Sequence, residues 1–269
     1  MMDKLYGFIG AGNMGSALAK AAAKAVAPER IMISNRTAAK AEALADSLGA
    51  KASSNAEIAE KAYFIFLGVK PQMIEELMGE IAPVLAKRTA PFVLVSMLAG
   101  VKAERIRKLS GRDVPVIRIM PNTPCSVGEG VVLINTDCGV SEEDGKEFVS
   151  AMQAAGGFVA LPEELFDAGC ALSGCGPAFV DIFMDALAKG GEACGLAAEQ
   201  ALRLAALTAS GAAKLLLASG KSPEELKRAV CSPGGATIEG VKILEASDFR
   251  EIVMKAVGAA CERSKELGK

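Results

Sequence analysis

Leu5-Tyr6-Gly7-Phe8-Ile9-Gly10-Ala11-Gly12-Asn13-Met14-Gly15 is the stretch that decides the fold of this chain. A short apolar run ends in G-x-G-x-x-G, and Met14 to Val26 then carries a helical pattern, so the glycines sit between a strand and a helix, the context that gives the motif meaning. The first glycine makes the turn, the second leaves room for a pyrophosphate, and the third lets the helix pack on the strand. The pattern predicts the first βα turn of a dinucleotide-binding domain; a purely structural glycine turn is the competing reading.

Outward from that turn, apolar runs recur at Arg30 to Ser34, Tyr63 to Val69, Phe92 to Ser96, Val116 to Met120, Val131 to Asn135 and Gly157 to Leu161. Helical stretches such as Ala38 to Leu48 and Gln72 to Leu85 separate them. Short continuous runs bounded by Gly, Pro or Asn suit parallel strands covered on both faces. The alternation predicts an α/β fold: residues 1–162 form a Rossmann-type domain with a doubly wound, mostly parallel sheet. Beyond Pro162 the strand-like runs stop, and Pro177 to Cys194, Ala198 to Ala218, Pro223 to Ala229, Ala236 to Ala246 and Phe249 to Leu267 read as helices. Residues 163–269 are therefore expected to form an all-α domain, with Ser173-Gly174-Cys175-Gly176-Pro177 as a turn that places Pro at the first helical position. Rich in Ala and Gly and poor in aromatics, this half makes a thin core alone. A second copy of the chain is the expected source of the missing burial.

Composition narrows the function. With 51% hydrophobic and 23% charged residues the chain is globular. Thirty basic against 32 acidic residues leave a net charge of -2, with no footprint for nucleic acid or an anionic membrane surface. The start, Met1 to Leu5, carries no signal-peptide pattern. The most apolar later stretch, Leu196 to Ser219, is interrupted by Glu199, Arg203 and Lys214 and reads as a soluble helix. Seven cysteines, odd in number and without a C-x-x-C pair, fit neither a disulfide framework nor a zinc site, so a cytoplasmic location is expected. Histidine is absent, which removes the usual proton shuttle and the commonest metal ligand; no metal is expected.

A NAD-binding unit usually ends its second strand in a carboxylate that reads the ribose. Here the strand ends Ile33-Ser34-Asn35-Arg36-Thr37, without one. Arg36, with Ser34 and Asn35, offers donors to a 2′-phosphate, which points to NADPH with NADH still possible; a solvated Arg at a helix start is the plain alternative. A second glycine-rich turn, Ser232-Pro233-Gly234-Gly235-Ala236-Thr237, opens another helix. It suits either a small anion such as a carboxylate or a simple helix cap.

Taken together, Phe8 to Gly15, Gly68-Val69-Lys70-Pro71-Gln72, Ser96-Met97-Leu98-Ala99-Gly100, Arg118-Ile119-Met120-Pro121-Asn122-Thr123-Pro124, Leu172 to Ala178 and Ser232 to Val241 make the whole chain resemble the pyrroline-5-carboxylate reductases, which make proline by reducing a cyclic imine. The resemblance implies that the cofactor lies on Gly10, Ala11, Gly12, Asn13, Met14 and Gly15, with its phosphates over Ala11 to Met14. Val69, Lys70, Pro71 and Met97, Leu98, Ala99 would bound the nicotinamide, and Asn55 would sit near the adenosine. The substrate, an imino acid, would place its carboxylate on Ser232, Gly234, Gly235, Ala236 and Thr237, with the Thr237 hydroxyl near the ring nitrogen as the catalytic group. The family also implies a homodimer through the helical domain that assembles further. Cys175 and Cys231 stand where the family more often has Ser or Thr, and Leu98 where Ala is commoner. Both cysteines are expected to be small buried residues, not catalytic thiols.

Two other classes compete. β-Hydroxyacid dehydrogenases share the G-x-G-x-M-G start, but Val180 and Phe183 stand where their Lys and Asn belong, and without the lysine their acid-base group is missing. An NADP-sensing protein shares the fold but has no need of the second anion turn.

Overall fold

The computed structural model describes residues 4–267. Met1–Asp3, read above as lacking a leader pattern, and residues 268–269 lie outside the described residues. Eight strands form one sheet: β1 (Tyr6–Ile9), β2 (Ile31–Ser34), β3 (Lys51–Ala52), β4 (Phe64–Leu67), β5 (Val93–Ser96), β6 (Val116–Pro121), β7 (Gly130–Cys138) and β8 (Gly156–Ala160). Their order is β3-β2-β1-β4-β5-β6-β7-β8, parallel throughout except at the β6–β7 pair. The chain thus reverses its direction of growth between β1 and β4, the switch point beside which open α/β sheets bind ligands.

The sheet is covered on both faces by α1 (Asn13–Ala22), α2 (Ala38–Leu48), α3 (Asn55–Lys61), α4 (Ile74–Lys87), α5 (Ala103–Ser110) and α6 (Glu142–Met152). Alternate residues feed two cores, as the period of two requires. Tyr6, Phe8, Phe64 and Phe66 meet Leu18 of α1, Leu44 of α2 and Phe148 of α6, with Phe8 and Phe66 stacked at 4.1 Å between centroids. Ile9, Ile65, Leu67 and Leu94 meet Ile58 of α3, Ile81 of α4 and Ile106 of α5. At the strand starts, Lys4 bridges Asp144 (2.8 Å) and Glu147 (2.7 Å) and fastens α6 to the sheet. Burial pushes the Asp144 carboxyl up, but hydrogen bonds from Lys4, Ser141 and Tyr63 outweigh it and hold the group below its ordinary range.

The helical half begins with α7 (Phe166–Gly169), which runs into a π-helical turn over Cys170–Gly174 and then into α8 (Gly176–Ala193). The turn expected at Ser173 to Pro177 is thus a wide helical turn, closed by the Cys175 N–H on the Cys170 carbonyl at 3.0 Å. The physical reason lies in Pro177. An α-helix running on through this point would pair the Ser173 carbonyl with the N–H of residue 177, and proline has none. Asn122 Nδ2 donates to that carbonyl instead, at 2.9 Å.

Contacts divide the chain into Met1–Cys175 with Ala260–Lys269, and Gly176–Ala259. The compact unit that holds the sheet extends through residues 163–175 because these are fastened to it. Phe166 packs against Met120 and Leu133. Arg118, only 3% exposed, pairs with Glu163 at 3.0 Å, and the same carboxylate accepts the Ala103 N–H at 2.7 Å. Ser264 near the chain end donates to Asp167 at 2.7 Å.

The second unit holds α8, α9 (Ala198–Ser219), α10 (Pro223–Val230), α11 (Ala236–Glu245) and the first part of α12 (Phe249–Leu267). Its buried centre among the described residues is Ala188, Ala201 and Ala205, with Met184 against them. Ile182, Leu207, Leu217 (86% exposed), Ile243 and Met254 point outward. The thin core expected from the composition is what the single chain has.

Candidate functional site

The C-terminal ends of β1, β2 and β4 open on a cleft of about 540 Å³. Its floor is the glycine turn. Gly10 has φ +107, and a side chain there would collide with the Gly68 carbonyl oxygen; one on Gly15 would collide with the Gly10 carbonyl. At Gly12, by contrast, a Cβ would meet nothing within 4 Å. Two glycines are thus demanded by packing, while the second leaves open space over the start of α1. That helix has Gly12 as its N-cap and no acidic residue in its first turn, so the unpaired N–H groups around Asn13 and Met14 present an uncompensated positive end. A dinucleotide's pyrophosphate fits this floor.

The walls come from neighbouring loops. Asn35 Oδ1 accepts the Ala11 N–H at 3.1 Å, and Asn35 Nδ2 donates to the Thr37 carbonyl at 3.1 Å, tying the end of β2 to the glycine turn. Buried Ser34 donates to Asn55 Oδ1 at 2.7 Å. Arg36 is exposed on the cleft wall, joined by Lys40 from the first turn of α2. Val69 and Lys70 line the opposite side, and Pro71 starts the short 3-10 turn Pro71–Met73 that leads into α4.

The 97–99 segment follows β5. Met97 approaches Gly68, its sulfur 3.6 Å from where a Cβ would stand, and Ala99 packs near Met120 and Phe166. Leu98 differs from its two neighbours. Its side chain is 1% exposed in the core with Val101, so only its backbone can face a cofactor, and the Leu-for-Ala departure is absorbed by the core. Cys125 and Cys170 are thiols whose pKa burial pushes up, which makes neither a nucleophile at neutral pH.

In the second unit, Ser232–Gly235 is a tight turn closed by the Gly235 N–H on the Ser232 carbonyl at 3.0 Å. Pro233 stands second and Gly234, with φ +71, third, as a type II turn demands. A side chain on Gly235 would press on the Ser232 hydroxyl and come within 3.1 Å of the Ser232 carbonyl, so Ser232 would have to shift. Gly235 is the N-cap of α11, and no side chain caps that helix. Thr237 is not the cap: it is the second residue of the helix, exposed in the first turn among the unpaired N–H groups of the helix start. The expected β-hydroxyacid dehydrogenase lysine is also missing from α8, where Val180 and Phe183 are apolar and partly exposed.

Lys40, Glu76 and Glu80 are charged cleft residues that escaped the sequence reading. Lys40 carried a visible signal, four positions after Arg36 at the start of a helix. Glu80 carried none; α4 brings it to Asn55, whose Nδ2 donates to its carboxylate at 2.8 Å.

A glycine turn at the switch point, an unscreened helix start above it and a cationic wall without a strand-end carboxylate define an NADP-dependent oxidoreductase. Residues 5–100 match the NADP oxidoreductase coenzyme F420-dependent family, and residues 163–267 match the pyrroline-5-carboxylate reductase dimerisation family. The chain is 39% identical to the pyrroline-5-carboxylate reductase of Arabidopsis thaliana, over 97% of this chain and 94% of that one. Its structure is similar to that of the Coxiella burnetii enzyme of the same name, with TM-score 0.91 and 32% identity over 99% of each chain. It is also similar to the Plasmodium falciparum pyrroline carboxylate reductase with NADP bound, with TM-score 0.87 and 32% identity over the whole of both chains. The chain belongs to the pyrroline-5-carboxylate reductase family.

Proposed function

We propose that the cleft at β1, β2 and β4 holds NADPH and that the Ser232–Thr237 turn holds the substrate carboxylate, for the reduction of 1-pyrroline-5-carboxylate to L-proline that closes proline biosynthesis. Membership of the family over the full length of both halves is the observation that carries the reading. NADH fits the same cleft, with Arg36 and Lys40 the side chains that would favour the 2′-phosphate.

Bound NADPH supplies a hydride. The residues of the chain then have three tasks. Gly10, Gly12 and the start of α1 receive the phosphates. The backbone of Ala236 and Thr237 holds the substrate carboxylate, and the Thr237 hydroxyl oxygen accepts the N–H of the ring iminium. An iminium substrate already carries the proton that the amine product needs, so a chain without histidine loses nothing; orientation does the work.

Glu163–Ala193 and Ala198–Ser219 are long and apolar enough, by length and composition, to cross a membrane. We read their exposed faces as the surface that a second copy covers. Asp181, Asp185, Lys189 and Glu192 on α8, and Glu199, Arg203 and Lys214 on α9, would be costly in hydrocarbon. The apolar exposure extends over α8, α9, α11 and α12, which supports assembly of dimers into a larger homo-oligomer. The odd number of cysteines supports a cytoplasmic location.

Thr237→Val tests the assignment. A hydrogen bond to a charged group is worth about 1.5 to 3 kcal/mol, so kcat/KM should fall about ten- to hundredfold. Melting temperature and NADPH binding should hold, and Thr237→Ser should keep much of the activity. Normal rates with a lowered melting temperature would return Thr237 to a structural role.

A further inference from the structure

We propose that Glu80 is the coenzyme-discriminating carboxylate of the cleft, reading the ribose hydroxyl of NADH and opposing the 2′-phosphate of NADPH; this rests on the cofactor position given above. Dinucleotide folds read the ribose from the end of the second strand, where an acidic side chain accepts from its hydroxyls. In this chain that place is held by Ser34, which has no charge. The Ser34 hydroxyl donates to Asn55 Oδ1 at 2.7 Å, and Asn55 Nδ2 donates to Glu80 at 2.8 Å. The three side chains form one hydrogen-bonded row, Ser34 to Asn55 to Glu80, that runs from the strand end across the cleft mouth to α4.

The row fixes what each group can still do. Ser34 spends its proton on Asn55, and neither the Ser34 nor the Asn55 oxygen brings a charge to the ribose. The Glu80 carboxylate accepts one hydrogen bond from Asn55 and retains further lone pairs, and it lines the cleft. A ribose 2′-hydroxyl can donate to it. A 2′-phosphate has no proton to give at neutral pH and is repelled. The cleft is lined by the cations Arg36 and Lys40 from the β2–α2 side and Lys70 before α4, and by the carboxylates Glu76 and Glu80 of α4, of which Glu80 is the one bonded to Asn55. Coenzyme choice is the difference between them, and Glu80 is the part that keeps NADH usable.

The test measures calorimetric dissociation constants of NADPH and NADH for the full-length protein and for the Glu80→Gln, Glu80→Ala and Arg36→Ala variants, with steady-state KM for each coenzyme alongside. Gln retains an acceptor for Asn55 while removing the charge, and melting temperatures report on folding. Glu80→Gln should weaken NADH and strengthen or spare NADPH, raising the preference for NADPH about tenfold; Glu80→Ala should do the same. Arg36→Ala should lower that preference. If Arg36→Ala is selective against NADPH while both Glu80 variants affect the two coenzymes equally or not at all, the cleft assignment stands and the role of Glu80 is overturned. If Arg36→Ala is not selective either, the cleft assignment falls, and the role of Glu80 with it.

Discussion

Asn122 lies at the end of β6, 6% exposed, and both ends of its amide are committed to backbone groups: Oδ1 accepts the Val131 N–H at 2.8 Å and Nδ2 donates to the Ser173 carbonyl at 2.9 Å. Asn122→Leu removes both bonds while keeping a side chain of similar size. Each unpaired buried backbone group costs about 1 to 3 kcal/mol. Val131 and Ser173 are only partly buried, so water can reach part of the loss, and the sum should be about 2 to 4 kcal/mol. Asn122→Asp keeps the acceptor for Val131 but sets a carboxylate against the Ser173 carbonyl, so it should lose at least half as much. Urea unfolding at one fixed protein concentration measures both, the concentration being held because an oligomer's stability depends on it. A loss under about 0.5 kcal/mol for Asn122→Leu, the range of ordinary surface changes, would refute the view that this amide replaces the N–H missing at Pro177.

Two further outcomes are expected. The depressed pKa of Asp144 means that its stabilisation is complete above the ordinary carboxylate range near pH 4 and is lost as pH falls through the folded-state value. Asp144→Asn should therefore flatten the acid limb of an unfolding curve followed from pH 5 to pH 2, with an unchanged slope counting against the Lys4 bridge. Sedimentation should find at least a dimer, and Leu207→Asp on the exposed face of α9 should produce a monomer whose melting temperature no longer depends on concentration. An intact dimer after that change would move the contact off α9.

Much of the first half was legible because its signals are local. A glycine that must avoid its neighbour's carbonyl announces itself in four residues, and strands buried on both faces read as continuous apolar runs, as β1, β2, β4 and β5 do. β3 gave no such signal: Lys51 and Ala52 are two exposed residues that pair with Met32 and Ile33, and Lys51 bridges Glu57 at 2.6 Å. The reversal at β7 had a signal that went unused. Pro121 and Gly130 leave eight residues between the strands, fewer than the dozen or more that a parallel crossover needs, so β7 had to run antiparallel. β8 is parallel to β7 because α6 lies between them.

The site divides along the same line. Gly10 to Gly15 and Ser34 to Arg36 are each a few consecutive residues at a strand end, and the chain direction alone puts them over the switch point. Leu98 sits inside a motif but turns into the core, since neighbouring residues of a loop face opposite ways and a motif does not say which one faces the ligand. Glu80 is the opposite case. Nothing within α4 sets it apart from Glu75 or Glu76, and it acquires a role only because α3 and α4 pack side by side and bring it within 2.8 Å of Asn55, itself bonded to Ser34 at the end of β2. A strand-end carboxylate can be looked for about twenty residues after the glycine turn, but one supplied by a later helix has no fixed offset. The absence of an acid in Ser34-Asn35-Arg36 is therefore a statement about one wall of the cleft, and the sign of the whole mouth follows only when Arg36, Lys40 and Lys70 are set against Glu76 and Glu80.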